Sequence, residues 1–136
     1  MMIEHKWSLR LIRLAAIFGL IGAVIGSDMA GSGNYQIRPI HAHILVVGWL
    51  SLFAWGIFYR VCKIKSAKIV AAQGWSAMIG AVGLTVGMWL HNVRPFQVNE
   101  TFALIFYIVG GTILLISFVL FIIATFMIES AKGEQA

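Results

Sequence analysis

Arg38-Pro39-Ile40-His41-Ala42-His43 leads directly into an apolar run from Ile44 to Tyr59. Two histidines one residue apart therefore stand at the mouth of a segment long enough to cross a bilayer, which takes about 20 apolar residues. Pro39 suits the first turn of a helix, where its missing N–H costs nothing. The stretch reads as a spanning helix over residues 37–60 that carries two imidazoles at one end.

The rest of the chain supports that reading. Of 136 residues, 60% are hydrophobic and only 11% charged, with a mean hydropathy of +0.91. A soluble domain carries about 25% charged residues, so much of the surface must face lipid. Three more apolar segments of spanning length are expected, over residues 8–27, 69–91 and 99–128. The fold class is all-α, a single four-helix transmembrane bundle filling residues 1–136. Asn99 is placed to cap the last helix, with Glu100 at its positive end. Residues 27–34 are rich in Gly, Ser and Asn and read as a connection. Gly22-xxx-Gly26 and Gly83-xxx-Gly87 are faces for close helix approach.

The net charge of +5 does not describe a nucleic-acid surface, because the basic residues flank apolar spans. Lys6, Arg10, Arg13, Arg60, Lys63, Lys65, Lys68 and Lys132 gather at one end, against only Arg38 and Arg94 at the other. The excess of positive charge on cytoplasmic loops puts both termini in the cytoplasm, in the inner membrane of a bacterium. His41, His43 and His91 then share the outer end. Asp28, Glu100 and Glu129 stand at span ends, so no acidic side chain is expected within a span. The single Cys62 excludes an internal disulfide, a thiolate cluster and a C-x-x-C-H attachment.

Ionisable residues at the rim of a span are functional-site candidates. On a regular helix, positions i and i+2 point roughly 200° apart, so His41 and His43 cannot both reach one compact ion. They can serve two ligands on opposite sides of the helix. Below His41 lie Ile44, Leu45, Gly48 and Leu52, an aliphatic wall on which Gly48 leaves room for a flat macrocycle or for a neighbouring helix. Such a wall capped by imidazole suits heme better than a hydrated ion. Arg38 and Arg94 stand where they could pair with carboxylates, or anchor lipid phosphate. Met88, one turn before His91, is a candidate thioether ligand or a packing residue.

His41-Ala42-His43-Ile44-Leu45-Val46-Val47-Gly48-Trp49, continuing through Phe53 to Tyr59, resembles the His-x-His helix of heme-copper oxidase subunit I. In that family one histidine of the pair serves a low-spin heme and the other a high-spin heme on the opposite side. The chain resembles one four-helix third of that subunit, and Arg94 resembles its propionate-binding arginine region. The full copper-site histidines and the His-linked tyrosine of an oxidase are missing, so oxygen reduction is not implied.

The expectation is thus a membrane protein with non-covalent heme b, ligated by His41 and His43, with His91 as a further candidate. Electron transfer with a redox partner is the natural activity. The pseudo-threefold oxidase suggests a homotrimer, with His41 of one subunit and His43 of the next on one heme. A homodimer using His91 is the alternative. Copper held by His91, Met88 and one of the pair is a different chemistry for the same residues, and a structural or assembly subunit is a third reading.

Overall fold

The computed structural model describes residues 2–129, and nearly all of them are helical. Four helices are long and apolar enough to cross a membrane: α1 (Ile3–Ser32), α2 (Arg38–Val61), α3 (Ala67–Val93) and α4 (Glu100–Phe126). A single 3₁₀ turn, Pro95–Gln97, lies between α3 and α4.

Helix α1 is longer at both ends than its apolar core suggests. Glu4 lies in its first turn, where a carboxylate favours the positive end of the helix dipole. At the other end the Gly- and Ser-rich segment stays helical as far as Ser32. Ser27 Oγ donates to the Ala23 carbonyl at 2.9 Å, which keeps the hydroxyl satisfied inside the helix. The stop comes at Gly33, in the left-handed region at φ 66°, with its N–H on the Met29 carbonyl. Thirty residues give a helix about 45 Å long, well beyond a hydrocarbon core of about 30 Å. Both ends of α1 therefore reach the headgroup region or water.

Helices α3 and α4 start at local caps. Ser66 Oγ accepts from the Ile69 N–H at 3.4 Å. Asn99 Oδ1 accepts from the Phe102 N–H at 3.1 Å, as its position before Glu100 implied.

Helix α2 departs from regular geometry. Residues Ile44–Ser51 form a π-helical segment directly below the histidine pair. Ser51 Oγ follows the wider turn, donating to the Val46 carbonyl five residues back at 2.8 Å. Gly48 lies inside this segment, and a Cβ there would sit 2.2 Å from the Phe18 ring of α1. The space above Gly48 is thus filled by Phe18. Helix packing, the second of the two uses its position allowed, accounts for this glycine.

The helices meet through glycines. A Cβ on Gly110 of α4 would lie 2.3 Å from the backbone of Gly83 in α3. Gly80 and Gly87 face the backbones of Leu114 and Tyr107 at 2.6 Å and 2.5 Å by the same measure. Helices α1 and α2 approach at Gly22 beneath Leu45 and at Gly56 beneath Ile12, while Gly74 of α3 takes the Trp7 ring. Trp55 closes the contact of α2 with α4 against Phe118 and Phe121.

At the end bearing the basic residues, the α2–α3 loop and the segment after α4 clasp each other. Ile64 and Ile128 form an isolated antiparallel bridge. Lys65 N–H donates to Met127 O at 2.9 Å, and Glu129 N–H to Lys63 O at 2.8 Å. Lys63 Nζ pairs with Glu129 at 2.7 Å, which holds this ammonium above the ordinary lysine range. The Glu4 carboxylate accepts from Ile64 N–H at 3.1 Å. The start and end of the described chain therefore lie together.

These contacts predict unequal tolerance among the glycines. Gly110→Leu should destabilise the detergent-solubilised protein by about 1–3 kcal/mol through overpacking. Gly31, with nothing within 4 Å of an added Cβ, should accept Ala with a gain of about 0.5–1 kcal/mol. Thermal melts of both variants beside the parent protein test this; equal midpoints would contradict the close α3–α4 contact.

Candidate functional site at the histidine end

The start of α2 is built by a short polar connection. Gln36 N–H donates to Asn34 Oδ1 at 3.0 Å, and Arg38 N–H to Tyr35 O at 3.1 Å. These turns aim the chain back into the bundle. The Arg38 guanidinium rests over the Tyr35 ring, 4.7 Å from its centroid, a cation–π contact at the membrane rim. Pro39 occupies the first turn of the helix, and Ile40 is buried beneath it.

His43 holds Nδ1 2.8 Å from the Pro39 carbonyl. A carbonyl oxygen only accepts, so the proton of neutral His43 is on Nδ1 and the Nε2 lone pair is free. Metal-ligating histidines are oriented in this way by a backbone carbonyl on the other nitrogen. His41 has different surroundings. Its ring lies against Gly26 of α1, where a Cβ would come within 2.9 Å of Cε1, and its Nδ1 is enclosed without a hydrogen bond among the described residues. Gly26, legible in the sequence only as half of a packing motif, is the floor of the His41 ring.

His91 belongs to another contact. It stacks on Tyr107 of α4 with ring centroids 5.8 Å apart and planes inclined by 26°, and its Nδ1 is also enclosed with no hydrogen-bond partner among the described residues. Met88, one turn earlier, is buried in the core at 4% exposure. His41 is thus seated on α1 and His91 on α4. Among the described residues no group of three or more His, Cys, Asp or Glu side chains could hold a metal ion.

Arg94 caps α3 in the left-handed region at φ 51° and forms an ion pair with Glu100 at the start of α4. Both side chains are at least half exposed, so the pair contributes at most about 1 kcal/mol. Phe96 and Gln97 also have positive φ, 57° and 55°. For residues with a Cβ this costs roughly 1–2 kcal/mol each. Phe96 stands almost wholly exposed at the tip of the loop.

Between α1, the first turns of α2 and α3 runs an open groove of about 550 Å³. Phe18, Ile25, Ile40, Ile44, Val86 and Trp89 contribute to its walls, and Thr85 is its polar residue. Its volume falls in the range of cofactor pockets, about 300–1,000 Å³. No histidine lines it. One chain therefore offers oriented imidazoles and an apolar groove as neighbours, without uniting them in a closed pocket.

No protein-family model, curated protein or solved structure matches the chain.

The seat of His41 can be checked directly. Gly26→Val should force the His41 ring to turn, shifting its imidazole resonances in protein carrying isotope-labelled histidine. Those of His43, anchored on Pro39, should keep their positions. Unchanged His41 resonances would show that the ring does not lie on α1.

Proposed function

We propose that this chain is a multi-pass membrane protein that binds heme b through His41 and His43 and passes electrons to and from a redox partner. The observation that carries this reading is the Nδ1 contact of His43 with Pro39, which fixes the tautomer and leaves Nε2 free to bind iron. The π-helical segment immediately below adds to it, since such segments recur at functional sites. The resemblance of the stretch from His41 to Tyr59 to the His-x-His helix of oxidase subunit I points the same way.

In this reading both termini are cytoplasmic, because the basic end carries Lys6, Arg10, Arg13, Arg60, Lys63, Lys65 and Lys68. The histidines then face the outer side of a bacterial inner membrane. His41 and His43 sit in different surroundings, which favours ligands drawn from two subunits. A homotrimer in which His41 of one copy and His43 of the next share a heme fits that arrangement, and a homodimer using His91 is the alternative. Arg38 and Arg94 stand at the same rim and would hold the propionates, Arg94 by exchanging its exposed pairing with Glu100. Heme held by His41 and His43 would supply one-electron ferric–ferrous chemistry. The protein's part is to set the ligand tautomer, to cover the ring with aliphatic side chains and to exclude water.

The test is spectroscopic. Protein purified in detergent from heme-replete cells should show a reduced heme b spectrum. His41→Ala or His43→Ala should lose most of it, and His5→Ala should keep it. Absence of carbon monoxide binding to the reduced form would agree with two histidine ligands. Colourless wild-type protein would refute the heme reading, and bound copper without a Soret band would replace it with the metal-handling one.

A further inference from the structure

Along α1, Lys6, Arg10, Leu14, Ile17 and Ile21 follow one another at three- or four-residue spacing and so lie on one face. Leu14, Ile17 and Ile21 line the groove between α1 and α3, with Val82 on its far wall. The face that bears two cations at the basic end therefore continues as a wall of the groove. Arg10 is held in place there. Its guanidinium lies over the Trp7 ring, 4.8 Å from the centroid, and the buried Trp7 packs edge-on against Trp75 of α3. Arg13, one turn beyond Arg10, borders the same face. Lys6, Arg10 and Arg13 are all exposed.

Arg13 stands deepest of the basic residues at this end. Its neighbour Ile12 packs on Gly56, so Arg13 lies about one turn inside the level of Arg60 on α2. The uncharged part of α1, residues 14–27, measures about 21 Å, against a hydrocarbon core of about 30 Å. A guanidinium facing hydrocarbon is costly, and its partner must come from the bilayer side. Among the described residues the ion pairs are Lys63–Glu129 and Arg94–Glu100, and the Glu4 carboxylate is buried on Ile64 N–H. No carboxylate of the described residues therefore pairs with Lys6, Arg10 or Arg13. A lipid phosphate fits the fork that a guanidinium presents. Three cations exceed the charge of one phosphate, so the match is to a lipid of net negative charge.

We infer that Lys6, Arg10 and Arg13 bind the headgroup of a net-negative glycerophospholipid from the leaflet at the basic end, one of whose acyl chains lies along Leu14, Ile17 and Ile21 in the groove. The lengths agree. Half of a hydrocarbon core is about 15 Å, or about ten residues of helix, which carries a chain from the level of Arg13 past Ile21. Ile17 and Ile21, 55% and 44% exposed in the chain alone, are the surface it covers. Arg10 and Arg13 hold the phosphate, and Lys6, one turn further out, meets the remaining headgroup charge. The site lies at the opposite end of the bundle from the histidines and does not depend on what they bind.

Native mass spectrometry tests this first on the full wild-type chain, reconstituted with equal amounts of phosphatidylglycerol and phosphatidylcholine of the same chain length. One phosphatidylglycerol molecule should stay bound in preference to phosphatidylcholine. Arg10→Gln and Arg13→Gln should each weaken that preference about fivefold. Lys65→Gln, which removes the same charge from the loop at the same end, should leave it unaltered. Ile21→Trp, which fills the groove, should lower retention of the long-chain lipid but not of a short-chain phosphatidylglycerol. Equal retention of the two lipids by the wild type would overturn the site. A loss in Lys65→Gln as large as that in Arg10→Gln would overturn the headgroup assignment, leaving only the general charge of that end. Unchanged long-chain retention in Ile21→Trp would take the acyl chain out of the groove.

Discussion

In a lipid environment, helices gain little from hiding apolar side chains from one another, since the surrounding chains are equally apolar. Association depends on close van der Waals approach, and here glycine provides it. Gly83 and Gly110 bring the backbones of α3 and α4 together, and Gly22, Gly48 and Gly56 let side chains of α1 and α2 sink into the facing helix. The positions of the polar groups follow from these contacts. Gly26 admits the His41 ring, Gly74 seats Trp7, and Gly56 brings Ser8 against α2. The same small residue that joins the helices also makes room for the chemistry between them.

The two ends of the bundle are finished differently. The basic end is closed by backbone hydrogen bonds between the α2–α3 loop and residues 127–129, by the Lys63–Glu129 pair and by Glu4 on Ile64. The histidine end has fewer such ties. Its α3–α4 loop holds Arg94, Phe96 and Gln97 at positive φ, and two of its imidazoles keep an enclosed Nδ1 with no hydrogen-bond partner among the described residues.

Much of this architecture was legible in the residues. The four spans stand out because apolar length alone defines them, and Pro39 and Asn99 mark their starts by local backbone chemistry. The far end of α1 was not legible: Gly31 and Ser32 suggest a turn, yet the helix continues until Gly33 supplies a left-handed cap. Gly48 was ambiguous, since a gap on a helix face takes either a cofactor or a neighbouring ring, and only Phe18 decides. The π-helical segment carries no proline to announce it. Glu4 was hidden most completely. Among His5, Lys6 and Arg10 nothing local marks it for burial, which depends on Ile64, sixty residues away.

That distance along the chain gives the Glu4–Ile64 hydrogen bond a further meaning for biogenesis. Glu4 emerges before its backbone partner, which is made only after α2 has returned to the same end. Until then Glu4 stays hydrated among basic neighbours, and these favour retaining that end on its own side while α1 inserts. Its burial is a late event, completed when the chain has come back on itself. The hydrogen bond thus records the order of assembly, joining the start of α1 to the turnaround after α2 on the same side of the bundle.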